Sequence, residues 1–415
     1  MQPSHIMKST TKAFILGHRN DNISSLALQA KKYPDVEMPI AIEQIAGWQK
    51  ASAKLPTWAR CDDIIYPHHL AMEQCSSEEA AQYKVDVAKR WMNEEQTDAG
   101  DRTFADLTGG LGVDFSFLSA LFTRSIYMEQ QHELCECARN NFKALNIKGV
   151  EIWEGDSMKL LEKLPHLQLL FIDPARRDSH GGRTFAIKDC TPDILPLLSQ
   201  LLNTANVIML KLSPMLDWHE TKRIINDKAP NTVKEIHIFA TANECKELLV
   251  VLSAQQTNAS ARLFCVNDNG TFITDEENEH SATPTPTISS TDEAMSATWL
   301  YEPNAAIMKG GCFSTLARKY EIKAISPNSH LFISNSHKQD FPGRTMHIIK
   351  TTTMNKRLLR TNLQDIRQAN ITVRNFPLTA AQLRQRLKMA DGGKCYLFAT
   401  TTADNTHIIF VCDKK

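Results

Sequence analysis

Acidic residues end or follow four successive apolar runs in the first half of the chain. They are Asp106, Glu129, Asp156 and Asp173. An ionised carboxylate only accepts hydrogen bonds, so Glu129 is suited to the two hydroxyl groups of a ribose, and Asp156 to an adenine amino group. Asp173 begins the polar stretch Asp173-Pro-Ala-Arg-Arg177, which is suited to a second substrate. One such acid alone predicts a solvated surface residue, whereas four at successive strand ends indicate a binding site.

A glycine-rich turn follows the first of these runs. The segment Phe104-Ala-Asp-Leu-Thr-Gly-Gly-Leu-Gly-Val-Asp114 passes from an apolar run through three glycines into a helix-like stretch. Gly109, Gly110 and Gly112 allow the backbone to approach a ligand closely and to adopt positive φ angles. This order is typical of a cradle for a nucleotide-bearing ligand, although an ordinary strand-to-helix turn also uses glycine.

Strands alternating with helices would bring these residues together. The predicted strands are Thr103–Leu107, Ser125–Glu129, Val150–Glu154, Leu167–Ile172, Val207–Leu212, Glu235–Ala240 and Glu247–Leu252. Helical segments separate the first six, which predicts a parallel sheet with helices on both faces. Only six residues separate the last two strands, too few for a parallel crossover, so these two must pair antiparallel. Ligands of such sheets bind beyond the carboxyl ends of the strands, where the acids stand.

The remainder of the chain predicts further regions around this sheet. Residues 1–95 lack strand alternation and are expected to form a helical region, followed by the sheet domain at 96–255. Residues 256–340 begin as an exposed linker rich in acids, Ser, Thr and Pro and continue into a small module. Residues 341–415 are expected to form a basic domain. From about Leu300 onward we expect an α+β region, with helices at Ala305–Tyr320 and Thr379–Lys388.

Composition restricts the class of protein. The 415 residues include 42% hydrophobic and 23% charged side chains, which are ordinary values for a globular protein. No apolar run is long enough to span a membrane, and the first residues do not resemble a secretory signal. The ten cysteines lack the spacing of a zinc site, so we expect no metal, and reduced thiols in a cytoplasm.

The net charge of zero conceals two regions of opposite charge. Residues 271–302 contain seven acids and no Lys or Arg, whereas residues 341–394 contain eleven bases and two acids. A basic module supplies the sequence-independent phosphate contacts of nucleic-acid binding. The alternative is that these bases are scattered over a solvated surface, and the sequence leaves both open.

Two cofactors suit strand-end acids beside a glycine turn. A dinucleotide site uses Gly-x-Gly-x-x-Gly, but Gly110-Leu-Gly112-Val-Asp-Phe115 lacks the third glycine. S-adenosylmethionine has no pyrophosphate to bind. It needs a glycine turn for its methionine part, an acid for its ribose and a polar acceptor site after the fourth strand. The second cofactor fits this chain better.

These motifs resemble those of class I S-adenosylmethionine-dependent methyltransferases over about residues 94–253. More of the chain is similar to a bacterial family of methyltransferases with a THUMP-like C-terminal domain. The matching stretches are Glu73-Gln-Cys-Ser-Ser-Glu78 with Tyr83-Lys84, Tyr301-Glu-Pro-Asn-Ala-Ala-Ile307, Arg374-Asn-Phe-Pro-Leu-Thr379 and Asp391-Gly-Gly-Lys-Cys-Tyr-Leu-Phe398. The resemblance implies an α/β fold with a Rossmann-like, seven-stranded sheet ending in an antiparallel hairpin. It also implies ferredoxin-like and THUMP-like modules after the sheet, and RNA as a partner.

The resemblance also implies roles for individual residues. It assigns Asp106 and the three glycines to the methionine end of the cofactor, Glu129 to the ribose and Asp156 to the adenine. The full set expected to bind the cofactor is Gln74, Ser76, Asp106, Thr108, Gly109, Gly110, Gly112, Glu129, Asp156 and Asp173. Gln74, Ser76 and Ser77 would fold over the cofactor, or would simply cap a helix. The residues expected in catalysis are Asp173, Pro174, Arg176 and Lys211, and those expected to bind RNA are Arg177, Arg374 and Arg384.

The acceptor atom is predicted less directly. Methyltransferases that modify exocyclic amines carry Asn/Asp-Pro-Pro-aromatic, whereas this chain has Ala175 and Arg176 at the last two positions. Uracil C5 methyltransferases use a Cys after the fifth strand, and this chain has Ser213 there. We therefore expect a nitrogen acceptor in RNA. A protein or small-molecule methyltransferase and a non-catalytic binding protein are the alternatives, and the oligomeric state is not predicted.

Overall fold

The computed structural model describes residues 7–67, 69–94, 102–176, 187–255, 260–275 and 284–414. The chain divides into two compact units. The first unit is Met1–Lys234 with Leu249–Thr257, and the second is Glu235–Leu248 with Asn258–Lys415. No helix within the described ranges is long and apolar enough to cross a membrane.

Helices make up the described part of the chain before the first strand. They are α1 (Ser9–His18), α2 (Ile23–Leu28), α3 (Met38–Lys54), α4 (Pro56–Ala59), α5 (His69–Gln74) and α6 (Glu78–Glu94). Helix α3 starts with Pro39 in its first turn, where the missing N–H costs no hydrogen bond. Buried Trp58, Met72 and Ala81 pack with Leu111 and Val113 of the glycine turn. The predicted helical region is confirmed, and its buried side chains pack against the glycine turn.

A parallel sheet follows. Its strands β1 (Thr103–Asp106), β2 (Arg124–Glu129), β3 (Val150–Glu154), β4 (Leu167–Ile172) and β5 (Ala205–Leu212) lie within a residue or two of the predicted bounds. The intervening helices are α7 (Val113–Leu118), α8 (His132–Ala144), α9 (Ser157–Leu160), α10 (Leu198–Thr204) and, after β5, α11 (Trp218–Lys228). Strands β1, β4 and β5 are apolar and almost entirely buried, as expected for strands covered on both faces.

The sheet is wider than the predicted seven strands. Strands β6 (Val233–Thr241) and β7 (Glu244–Leu252) are joined by two residues, Ala242 and Asn243, which both have positive φ angles. Such a two-residue turn connects antiparallel neighbours. Strands β8 (Arg262–Asn267) and β9 (Gly270–Asp275) then extend the sheet, giving the order β9-β8-β6-β7-β5-β4-β1-β2-β3.

Strands β8 and β9 correct the prediction that the region 256–340 begins as an exposed linker. Strand β8 runs parallel to β6, and β9 pairs antiparallel with β8. Leu263, Phe264, Cys265 and Val266 are buried, so this apolar run behaves as a sheet strand. The high content of acids, Ser, Thr and Pro in the residues that follow obscured a strand of only six residues.

The second unit contains a second sheet of seven strands. They are β10 (Trp299–Pro303), β11 (Lys323–Ala324), β12 (Phe332–Ser334), β13 (Gly343–Thr353), β14 (Gln368–Val373), β15 (Ala390–Thr401) and β16 (His407–Asp413), in the order β11-β12-β10-β13-β16-β15-β14. Its helices are α12 (Thr291–Met295), α13 (Ala305–Gly310), α14 (Phe313–Tyr320), α15 (Lys356–Leu363) and α16 (Ala380–Leu387). The predicted helix at Ala305–Tyr320 is interrupted at Gly311, whose φ of 71° ends α13. The predicted mixture of helices and strands is confirmed.

Candidate functional site

Four of the predicted site residues meet at one edge of the parallel sheet. Asp106, the last residue of β1, pairs with Tyr127 of β2 and with Phe171 of β4. Glu129 ends β2, and Asp173 directly follows β4. Lys211 is the penultimate residue of β5. It directly follows Leu210, which pairs with Ile172 of β4. Parallel register therefore brings the carboxyl ends of β2, β1, β4 and β5 side by side.

The glycine turn lies over this edge and is tied to it by hydrogen bonds. The Gly109 N–H donates to Met128 O at 2.8 Å, and the Gly110 N–H donates to Glu129 Oε2 at 2.9 Å. The Tyr127 hydroxyl donates to Gly110 O at 2.5 Å. These three bonds fix the height of the turn above β2.

The three glycines serve different purposes. A Cβ on Gly109 would lie 2.3 Å from Cε2 of Tyr127, and one on Gly112 would lie 2.7 Å from Cζ of Phe142. Both positions are therefore glycine because buried rings occupy the space. Gly110 has a φ of 55°, and the nearest atom to its Cβ would be Thr108 O at 3.6 Å. Among these three, only Gly110 leaves open space in which a ligand could approach the backbone.

Asp106 is a buried acid held by Thr108. Its side chain accepts hydrogen bonds from the Thr108 N–H at 2.9 Å and the Thr108 hydroxyl at 3.2 Å. Burial raises the pKa of Asp106 to about 8; the Thr108 hydrogen bonds oppose this shift, and the charges of Asp114 and Asp173 add to it. Thr108 Oγ1 also accepts the Asp173 N–H at 2.6 Å. Thr108 thus connects the ends of β1 and β4.

A chain of charges runs from Asp173 into the interior. Lys211 Nζ donates to Asp173 Oδ2 at 2.5 Å and lies 3.9 Å from Asp114 Oδ2. Asp114 in turn forms an ion pair of 3.2 Å with Lys84 and accepts a hydrogen bond from Ser76 at 2.7 Å. Burial raises the pKa of Asp114, but Lys84 and Lys211 outweigh it and hold that pKa below its ordinary value.

Lys84 and Asp114 also belong to this site, although no role was predicted for them from the sequence. Lys84 is completely buried on α6, although it is a lysine. It occupies the same helical stripe as buried Ala81, Val85 and Ala88. The position of Lys84 among the apolar residues of one helix face could have identified it as a site residue. A lysine is rarely buried without an acidic partner.

The remaining cofactor candidates lie at the margins. Gln74 is exposed at the end of α5. Ser77 accepts the Ala80 N–H at 3.2 Å and therefore caps α6, whereas Ser76 points to Asp114. Asp156 is exposed and accepts the Met158 N–H at 3.0 Å, which caps α9. Capping uses Oδ1 of Asp156, and Oδ2 lies 3.6 Å from Lys159 Nζ in an exposed ion pair with which an adenine amino group would compete.

The acceptor loop continues from Asp173 into a short hairpin. Pro174 is buried, and Ala175–Arg176 pairs antiparallel with Cys190–Thr191. Cys190 is buried. The side chain of Arg176 and all of Arg177 lie outside the described residues.

The two C-terminal arginines predicted to bind RNA both have acidic partners. Arg374 contacts the buried Glu302 at 2.9 Å, and Arg344 contacts the same carboxylate. Arg384 forms an ion pair with Asp391. Both Arg374 and Arg384 remain partly exposed, with side-chain exposures of 39% and 26%.

The site fits a nucleoside-bearing cofactor. The carboxylate of Glu129 accepts the Gly110 N–H with one oxygen and the Gln131 N–H, at 2.8 Å, with the other. Each oxygen keeps a second lone pair, so the group can still accept two ribose hydroxyls. The open side of Gly110 leaves room for the cofactor next to this carboxylate. Among the described residues, no cluster of His, Cys, Asp and Glu is suited to hold a metal.

Comparison with known proteins identifies the family. Residues 299–342 match a ferredoxin-like domain and residues 343–414 match a THUMP domain-like family. A solved structure described as a putative methyltransferase from Porphyromonas gingivalis W83 is 32% identical to this chain, with a TM-score of 0.83 over 97% of each chain. The chain belongs to this methyltransferase family. The resemblance drawn from the motifs is thereby confirmed.

Two further solved structures are less similar to this chain. An rRNA methylase from Streptococcus thermophilus is 14% identical to this methyltransferase, covering 41% of this chain and 97% of its own, with a TM-score of 0.31. A human methyltransferase 10 domain containing protein is 13% identical, covering 50% and 98%, with a TM-score of 0.36. Neither match extends beyond half of this chain. No curated protein matches the methyltransferase.

Proposed function

We propose that this methyltransferase transfers the methyl group of S-adenosylmethionine to a nitrogen of a base in RNA. The observation that carries the proposal is the meeting of Asp106, Glu129, Asp173 and Lys211 at the carboxyl ends of adjacent strands. A ligand in a parallel sheet of this kind binds at that edge. Residues at the ends of β1 and β2 would bind the cofactor. Residues at the ends of β4 and β5 would bind the acceptor.

The residues around the turn would hold the cofactor. Glu129 would accept the ribose hydroxyls and Asp156 the adenine amino group, while the open side of Gly110 would admit the methionine part. When bound, S-adenosylmethionine supplies an electrophilic methyl group on its sulfonium. Asp106 lies beneath this position, and its ionised form would be favoured by any cationic group placed above it.

Asp173 and Lys211 would orient the acceptor. Methyl transfer needs little covalent assistance, so an acceptor lone pair held in line supplies much of the rate. Asp173 can accept a hydrogen from the acceptor nitrogen, and Lys211 holds the carboxylate in place at 2.5 Å. Position 213 after β5 is Ser rather than Cys, which disfavours the covalent route to a carbon acceptor.

The basic C-terminal domain would bind the RNA backbone. Eight of the eleven bases in residues 341–394 are exposed, namely Lys350, Lys356, Arg357, Arg360, Arg367, Arg386, Lys388 and Lys394. None of these eight forms an ion pair with another residue that the structure describes. Phosphate groups are their natural partners, since each contact releases condensed counterions. Arg177, Arg374 and Arg384 remain proposed RNA contacts, but a phosphate at Arg374 or Arg384 would compete with Glu302 or Asp391.

A nucleoside inventory tests the RNA substrate. RNA from a strain with the gene deleted is digested and compared by mass spectrometry with RNA from the parent strain. The proposal predicts that one methylated nucleoside is missing and is restored by the wild-type gene but not by Glu129→Ala. Identical inventories in the two strains would contradict RNA as the substrate.

A further inference from the structure

The acceptor site presents a cation and an anion side by side. Asp173 Oδ2 and Lys211 Nζ are 2.5 Å apart, and the side chain of Lys211 is only 11% exposed. Lys211 is held from behind by Asp114, at 3.9 Å, which is itself paired with Lys84. Because Asp114 is buried between two lysines, the ammonium of Lys211 is kept at the strand end instead of turning into solvent.

From this pair we propose that the acceptor is a lactam edge, meaning a ring N–H next to a carbonyl group, as at N1 and O6 of guanine or N3 and O4 of uracil. The inference rests on the proposed function and narrows its substrate. Asp173 would accept the ring N–H and Lys211 would donate to the neighbouring carbonyl oxygen. The pair thus matches both polar groups of that edge.

Charge distinguishes this acceptor from an exocyclic amine. An amine that accepts a methyl cation becomes positively charged, and the ammonium of Lys211 would oppose that charge. A lactam nitrogen instead loses its proton, and the resulting negative charge is shared with the carbonyl oxygen, where Lys211 stabilises it. The aromatic residue of the amine-specific motif is also replaced, by Arg176.

Methyl transfer to a lactam nitrogen requires that the nitrogen lose its proton. The N–H bond breaks, its proton moves to a carboxylate oxygen of Asp173, and its electron pair remains on the lactam. The nitrogen then forms a bond to the methyl carbon while the C–S bond breaks and leaves its electron pair on sulfur. The products are the N-methylated base and S-adenosylhomocysteine, and the proton on Asp173 passes to water.

Transfer of a trideuterated methyl group tests this proposal. The full-length protein is incubated with total RNA from the deletion strain and with S-adenosylmethionine labelled in its methyl group, and the nucleosides are identified by mass spectrometry. Label in N1-methylguanosine or N3-methyluridine supports the inference. Label on an exocyclic amine, or on a ring nitrogen that carries no hydrogen, overturns the inference and leaves the proposed methylation of a base nitrogen intact. Label on a ring carbon or on ribose overturns both. An absence of label from all RNA contradicts the proposed RNA substrate and the inference with it.

Variants at Lys211 provide a second readout. Lys211→Met should lower kcat by about 100-fold to 1,000-fold, the usual effect of removing one donor to a developing oxyanion, with little change in KM for S-adenosylmethionine. Raising the pH should partly restore its rate, because hydroxide then assists loss of the lactam proton, and Lys211→Arg should retain part of the activity. Lys89→Met, an exposed substitution on α6, is the matched control and should behave as wild type. A pH profile of Lys211→Met that parallels the wild-type profile would contradict the proposal.

Discussion

Lys84 Nζ lies 3.2 Å from Asp114 Oδ1 in the interior of the first unit, and neither side chain is more than 9% exposed. This ion pair joins α6 to the first turn of α7, directly behind the glycine turn. Its position means that the helical region before the sheet contributes a charge to the site. Ser76 adds a hydrogen bond to the same carboxylate.

Removing Lys84 should destabilise the protein. Lys84→Met leaves Asp114 with a buried charge that Lys211, at 3.9 Å, compensates only in part, and breaking a buried pair typically costs about 3–5 kcal/mol. Calorimetry should show a clearly lower Tm, and Lys84→Met/Asp114→Asn should recover much of the loss. Lys89→Met on the same helix is the control. A Tm for Lys84→Met equal to that of the control would mean that the pair contributes nothing.

Asp106 should make stability depend on pH. Its pKa is about 8 in the folded protein and 3.8 ordinarily, so between these values the folded state binds a proton that the unfolded state has lost. The stability contributed by this proton is complete below pH 4 and disappears as the pH rises through 8. Relative to Asp106→Asn, the Tm of the wild-type protein without cofactor should therefore fall between pH 5 and 9. Thermal melts of both proteins over this range that remain parallel would contradict the assignment.

Two neighbouring glycines should respond differently to substitution. Gly109→Ala would place a Cβ 2.3 Å from the buried ring of Tyr127, and overpacking of this kind costs about 1–3 kcal/mol. Gly110→Asn should fold normally, because Asn tolerates a positive φ and the space around Gly110 is open. Its side chain would occupy the proposed cofactor position. We expect lower Tm for the first variant and weaker cofactor binding with unchanged Tm for the second; the reverse pattern would refute the proposed geometry.

The C-terminal bases should determine RNA affinity. Helix α15 carries three exposed bases, and the triple variant Lys356→Glu, Arg357→Glu, Arg360→Glu changes no buried residue. Its RNA affinity should fall, and the slope of log affinity against log salt should become shallower by about two to three, since each phosphate contact contributes slightly less than one. Charge reversal of exposed Lys31, Lys32 and Lys148 is the control. Equal RNA-binding curves for the two triple variants would show that RNA does not bind at helix α15.

Point variants are preferable to truncation in that experiment. Strand β10 of the ferredoxin-like module pairs with β13 of the THUMP-like module in the same sheet. Leu300, Met346, Phe398 and Phe410 share one core. Removing residues 342–415 would expose this core, so lost RNA binding could not be separated from lost folding.

The parallel sheet could be predicted because its central strands β4 and β5 are largely apolar runs of six and eight residues. A run of this kind is visible in the local sequence, and helical segments separate it from the next run. The common location of the acids at the carboxyl ends of the strands could be predicted from the order of strands and helices alone. The pairing of Lys84 with Asp114 joins residues thirty positions apart, and no local pattern states which buried charges will meet. The sequence also could not separate Gly110, which opens to space, from Gly109 and Gly112, whose neighbours Tyr127 and Phe142 are brought in by the fold.

Calorimetric titration with S-adenosylmethionine tests the central claim, that the strand-end carboxylates form the cofactor site. Wild-type protein should bind, and Glu129→Gln and Glu129→Ala should bind about 10-fold to 100-fold more weakly, as expected on losing hydrogen bonds to a charged group. Glu162→Ala, which alters an exposed acid in the same unit, should bind like wild type. Equal affinities of the Glu129 variants and wild type, or no binding by folded wild-type protein, would contradict the account.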